Sequence, residues 1–131
     1  MLYTKSIIKP KSLEDGLRIS VMSRHTLNNG ITPDPRITPN SYDEWFKDLA
    51  PSDSLIRDYY KQKFSWDLYK EKYLNFLKQK KISIKIKGLA KRTLRQNITL
   101  LCIEEDAEHC HRKLLAEECQ RYEPSLEVEH R

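Results

Sequence analysis

Two thiols, two imidazoles and a guanidinium fall between positions 102 and 112 of this chain: Cys102, His109, Cys110, His111 and Arg112, interleaved with the carboxylates Glu104, Glu105, Asp106 and Glu108. These residue types support several chemistries. Zinc accepts thiolate and imidazole ligands, so a Cys₂His₂ or Cys₂His set can be drawn from Cys102, Cys110, His109 and His111. Adjacent helical residues diverge by about 100°, so at most two of His109, Cys110 and His111 can face one ion. Alternatively, a thiol near a helix start beside a cation can act as a nucleophile, with Cys110 reacting and Cys102 as its resolving partner. In that case Glu104 and His111 serve as acid and base. A third reading has Glu104, His111 and Arg112 binding substrate without covalent or metal chemistry, and a fourth makes the cluster a structural turn.

Other residues can join this site. Arg24 and His25 follow the second expected strand in a breaker-rich loop that reaches the same end of a parallel sheet, where they can bind substrate. His130, at the end of the last expected strand, can do likewise. Cys119 lies nine positions beyond Cys110, on the opposite side of the same helix, and reads as a packing residue.

The elements that must position these groups follow from periodicity and breakers. Leu2 to Ile8 and Leu17 to Met22 read as strands; Ser23 to Asn40, with Gly30, Pro33, Pro35 and Pro39, reads as a long loop. Ser41 to Leu49 has helical spacing of Tyr42, Trp45, Phe46 and Leu49. Ser52 or Asp53 caps a second helix to about Lys63, and Ser65 caps a third, Trp66 to Lys78, whose aromatic stripe reads as core. Ile82 to Ile86 alternates as a strand would, but the longer pattern favours a helix ending near Gln96. Asn97 to Ile103 reads as a buried strand, Asp106 to Tyr122 as a helix and Leu126 to His130 as a strand. Strands separated by helices predict an α/β fold: a single domain over residues 1 to 131, a three-layer sandwich with a mainly parallel sheet flanked by helices.

Composition bounds the class. The 131 residues hold 38% hydrophobic and 33% charged side chains with only 3 Gly, which argues against a disordered or collagenous chain. A chain this long can form a stable core without metal or disulfide staples. No apolar run is long enough to span a bilayer and the first residues are too polar for an export signal, so the expectation is a cytoplasmic protein with reduced thiols and no membrane partner. Charge is unevenly spread: residues 51 to 100 carry 13 basic and 4 acidic side chains, whereas residues 101 to 131 carry 4 and 9. The basic stretch is either a solvated helix face or a surface that steers a polyanion.

The order of motifs resembles the domain-of-unknown-function family 488. Leu100-Leu101-Cys102-Ile103-Glu104 followed by Cys110-His111-Arg112 is similar to its LLCxE…CHR signature. Trp45 with Leu49-Ala50-Pro51-Ser52 resembles its W…LAPS segment, Trp66, Tyr69 and Tyr73 its W…F…Y pattern, and Val128-Glu129-His130 its closing VxH. The family's Asp-Arg pair after the early strand has no acidic counterpart in Val21 to Leu27, and Arg24 is the nearest basic one. The resemblance implies an α/β fold with Cys102, Glu104, Cys110, His111 and Arg112 at one site, and no particular activity.

Two functions remain in view. One is a small enzyme or ligand-binding domain acting on a phosphorylated, nucleotide or nucleic-acid substrate through the Cys/Glu/His/Arg site. The other is a non-catalytic nucleic-acid-binding or scaffold protein that uses the basic surface of residues 61 to 95. Either suits a monomer or a homodimer.

Overall fold

The computed structural model describes all residues from Met1 to Arg131. Five strands form one parallel sheet: β1 (Leu2–Ser6), β2 (Leu17–Ser20), β3 (Glu44–Trp45), β4 (Ile98–Cys102) and β5 (Val128–His130), in the order β3-β2-β4-β1-β5. The α/β fold with a parallel sheet is therefore present. Four α-helices connect the strands: α1 (Asp53–Tyr60), α2 (Trp66–Leu77), α3 (Lys80–Thr93) and α4 (His111–Tyr122). None is long and apolar enough to cross a membrane.

β4 occupies the centre and is buried along its whole length, as expected of the run Ile98-Thr99-Leu100-Leu101-Cys102. Its pairing sets Cys102 opposite Ser6 of β1 and one residue beyond Ser20 of β2, so three strands end together at one edge of the sheet. On one face, Leu2, Ile19, Ile98 and Leu100 pack against Tyr73, Leu77, Ile86, Leu89, Leu115 and Cys119 from α2, α3 and α4. Burial of this apolar surface is the main stabilising term, at about 25 cal/mol per Å² removed from water. The aromatic stripe of α2 is core as expected, with Tyr69, Tyr73 and Leu77 buried.

The other face is polar and is closed by turns and loop. Its centre is Asp15, which ends the 3₁₀ turn Leu13–Asp15. Lys5 Nζ and Arg18 Nη1 reach its carboxylate at 3.0 and 2.6 Å, and Thr99 Oγ1 donates to its carbonyl at 2.7 Å. Burial alone would raise the Asp15 pKa, but the Ser12 N–H, Lys5 and Arg18 outweigh it and hold it at about 2. Gly16, at φ 61°, follows this turn; a Cβ there would lie 2.1 Å from the Asn97 carbonyl oxygen, so only glycine fits.

Serine caps fall where the sequence places them. Ser52 Oγ accepts from the Leu55 N–H and Ser65 Oγ from the Leu68 N–H, each at 3.2 Å. The Ile82 to Ile86 stretch is helical, within α3, with Ile86, Leu89, Ala90 and Thr93 on its buried side.

Two expectations are corrected. Ser41 to Leu49 is not a helix but a strand, β3, between the 3₁₀ turns Pro39–Ser41 and Lys47–Leu49. Pairing with β2 overrides the local spacing: Asp43 N–H donates to Arg18 O at 2.7 Å, Phe46 N–H to Ser20 O at 2.8 Å, and Trp45 Nε1 to Met22 O at 2.7 Å. Helix α4 begins at His111 rather than Asp106. The Asp106 carboxylate accepts the Glu108 N–H at 2.8 Å and Ala107 O accepts the Cys110 N–H at 3.1 Å, folding this stretch into turns and leaving Cys110 as the helix N-cap.

Candidate functional site

The turn between β4 and α4 brings Cys102, Cys110 and His111 together. Cys102 closes β4, Cys110 caps α4 and His111 is its first residue, and their sulfur and nitrogen atoms all lie within 4.8 Å of one another. His111 Nε2 is 2.7 Å from Val21 O, which can only accept, so Nε2 carries a proton. Nδ1 then faces Cys102 Sγ, 3.8 Å away, where it can receive the thiol proton.

Arg112 completes the group from behind. It is fully buried, and its Nη1 donates to Glu104 O at 2.6 Å and to Cys110 Sγ at 3.5 Å, its Nη2 to Glu105 O at 3.3 Å. No carboxylate neutralises it and its Nε has no partner. Arg112 does not line the cleft described next, so the expectation that it contacts substrate directly is corrected; its charge acts on the thiols instead.

The thiols are tuned in opposite directions. The Cys110 S–H, and after it the Glu104 N–H and the Arg112 charge, outweigh burial and lower the Cys102 pKa below the ordinary 9.0. Burial, then hydrogen bonding to Cys102 and its charge, push the Cys110 thiol well up. The two thiols thus shift in opposite directions, Cys102 down and Cys110 up, the reverse of the order in which the sequence ranks them.

Both sulfurs lie on the floor of a cleft of about 560 Å³. Arg24, Arg57 and Lys61 place three cations on its lining, and Tyr59, Tyr60 and Tyr69 supply aromatic surface. The Tyr60 hydroxyl donates to the Glu104 carboxylate, which fixes both side chains across the cleft. Burial raises the Tyr60 pKa, as does the bond to Glu104, so the phenol is a neutral donor. Of the expected residues, Cys102, Glu104, His109, Cys110, His111 and Arg24 therefore meet at one cleft.

The others do not. His25 points away: its Nε2 is 2.7 Å from Ser20 Oγ and its ring stacks on Trp45 at 4.1 Å, and burial lowers its pKa. His130 Nδ1 is 2.7 Å from Thr4 Oγ1, beside a second cavity with Lys9, Glu108 and Lys113. Cys119 is buried in the apolar core. On the basic segment, Lys80 and Lys81 are exposed while Arg92 pairs with Glu44 at 2.9 Å.

Arg57, Lys61 and the tyrosines were missed by sequence reasoning, because nothing in α1 says that it lies over the end of β4. The spacing of Arg57 and Lys61, one helical turn apart beside Tyr60, is the signal that was available.

A metal has three ligands to choose from here, Cys102, Cys110 and His111, with the His111 bond to a carbonyl as outer support. The Arg112 guanidinium on Cys110 Sγ sets a positive charge where a dication would sit, which opposes zinc. His109, the expected fourth ligand, packs against Trp66 at 5.0 Å between ring centroids and lies outside the set.

A family model for DUF488-N3a, described as the active DUF488-N3 subclade, matches residues 2–123. No curated protein and no solved structure matches the chain.

Proposed function

We propose that this chain, which belongs to the DUF488-N3a family, is an enzyme that attacks a phosphorylated, nucleotide-like substrate with the Cys102 thiolate. The observation that carries this reading is the pairing of a low-pKa sulfur with a cleft holding three cations. The family's description as an active subclade agrees with it.

Arg24, Arg57 and Lys61 neutralise the phosphate, and the tyrosines offer faces and hydroxyls to a planar base or sugar. The Cys102 sulfur attacks phosphorus; the S–P bond forms as the bond to the leaving oxygen breaks, and a cleft water protonates that oxygen. A second water then attacks phosphorus, Glu104 takes its proton and passes it to the hydroxide left by the first water, and the S–P bond breaks to return the thiolate and inorganic phosphate. His111 and Arg112 touch no substrate. They position and charge Cys102 from behind.

The test is trapping. Incubation with a nucleoside monophosphate followed by acid quench is expected to give a phosphorylated peptide at Cys102, and Cys102→Ser is expected to abolish both adduct and turnover. Turnover that persists in Cys102→Ser would overturn the reading.

A second reading rests on the exposed lysines Lys70, Lys72, Lys78, Lys80, Lys81, Lys87 and Lys91 of α2, α3 and the turn between them, which have no acidic partners. This face can hold a nucleic-acid backbone. Each phosphate left without its lysine changes the logarithmic salt dependence of binding by roughly one unit, so Lys80→Glu with Lys81→Glu should reduce it by about two.

A further inference from the structure

The Cys102 sulfur has a second thiol within 4.8 Å, and the hydrolytic steps form no bond to it. Cys102 and Cys110 both line the cleft, on either side of the β4 to α4 turn, and their sulfurs lie within 4.8 Å. Ligands of peroxide size can enter a cleft of about 560 Å³. Cys119 is sealed in the apolar core, so the pairing is restricted to these two.

We propose that Cys102 and Cys110 form a reversible disulfide when the protein meets a hydroperoxide, switching the site off and protecting its sulfur from further oxidation. The inference rests on the catalytic reading of Cys102 for its biological consequence but not for its chemistry. The Cys102 thiolate attacks one peroxide oxygen; an S–O bond forms, the O–O bond breaks and hydroxide leaves, so sulfur is oxidised by two electrons and peroxide reduced. That hydroxide takes the Cys110 proton and becomes water. The Cys110 sulfur then displaces hydroxide from Cys102, forming the S–S bond as the S–O bond breaks.

Three features favour this course over loss of the sulfur. The two sulfurs lie within 4.8 Å of each other, so the resolving atom is at hand before oxidation. The intervening residues, Ile103 to His109, contain no regular element, so the turn can close the remaining distance to a bond without breaking a helix or strand. Cys110 is the N-cap and offers the helix no side-chain hydrogen bond, so α4 loses no cap when its sulfur is taken.

The experiment is mass mapping of the whole protein after exposure to hydrogen peroxide. No Lys or Arg lies between Gln96 and Arg112, so trypsin leaves both thiols on one peptide, and cleavage at Glu104, Glu105 or Glu108 separates them. The expected result is a tryptic peptide lighter by the mass of two hydrogens that stays joined after glutamate cleavage and is restored by dithiothreitol. In Cys110→Ser, which keeps a hydrogen-bond donor beside Cys102, irreversible sulfinic acid at Cys102 is expected to form about tenfold faster than in the wild type. Overoxidised Cys102 without a disulfide in the wild type, or a linkage only between two copies of the chain, would overturn the proposal. Phosphoryl transfer is read separately: a disulfide in a protein without turnover refutes the catalytic reading alone, and turnover without a disulfide refutes this one alone.

Discussion

Two arginines are almost wholly buried, and the chain treats them in opposite ways. Arg18 meets the Asp15 carboxylate at 2.6 Å, Lys5 shares that carboxylate, and Arg18 Nε bonds to Ser41 O at 2.9 Å, so charge and hydrogen bonds nearly close. Arg112 has carbonyls, a sulfur and an Nε without a partner. A buried cation lacking a carboxylate is costly, and it persists where another negative group supplies the balance. Here Arg112 meets the Cys110 sulfur at 3.5 Å, and its charge helps to lower the Cys102 pKa. One arginine holds the polar face of the sheet together; the other lowers a thiol's pKa at its carboxyl end.

The comparison breaks first if chemistry does not follow the thiol whose pKa the second arginine lowers. Cys102→Ser is expected to lower kcat/KM for a nucleoside phosphate by about a thousandfold or more, with Cys110→Ser within about tenfold of wild type. Arg18→Met, by contrast, is a stability variant: it leaves Asp15 with one cation fewer and is expected to cost about 3 kcal/mol in urea unfolding, with no change in Cys102 reactivity. The same network answers to acid. The Asp15 pKa is lowered on folding, from 3.8 to about 2, so its contribution is full above pH 3.8 and is lost as pH falls through 2. That amounts to about 2 kcal/mol, visible as a falling Tm that Asp15→Asn removes.

Finer tests sharpen the contrast. Alkylation of Cys102 is expected at lower pH than an ordinary thiol, while Cys119, whose pKa burial raises to about 12, stays inert in the folded protein. Arg112→Met should move the Cys102 midpoint up, an effect Arg18→Met lacks. The smallest effect belongs to Gly30. It sits at φ 74° with the Arg24 guanidinium packed against it, and a Cβ would lie 2.6 Å from Arg24 Nη1. Gly30→Ala should raise KM about threefold through Arg24 and leave the Cys102 alkylation profile unchanged.

The sequence made four of the five strands, the serine caps and the Cys-His-Arg block legible, because each is a local signal of periodicity, capping or composition. The assignment of roles within the block was not. Cys110 looked like the nucleophile since it stood near a helix start beside Arg112, but the direction in which each thiol shifts depends on burial and on neighbours that the turns at Asp106 and Ala107 bring together. Arg112 looked like a substrate ligand because it is a cation in the first turn of a helix, until its burial became visible. Ser41 to Leu49 misled through real helical spacing that the edge of β2 overrode. Arg57, Lys61 and Tyr60 entered the cleft through tertiary placement alone.

The strand order has one more consequence. β1 opens the chain yet lies between β4 and β5, so residues 2 to 6 find their partners only once residues 98 to 102 and 128 to 130 have been made. Pairings this distant in sequence slow folding and leave the first strand waiting during synthesis. The segments that meet around Cys102 come from three separate stretches, so a growing chain carries the thiol in its ordinary, sluggish state. The lowered pKa of Cys102 therefore arises only with completion of the fold.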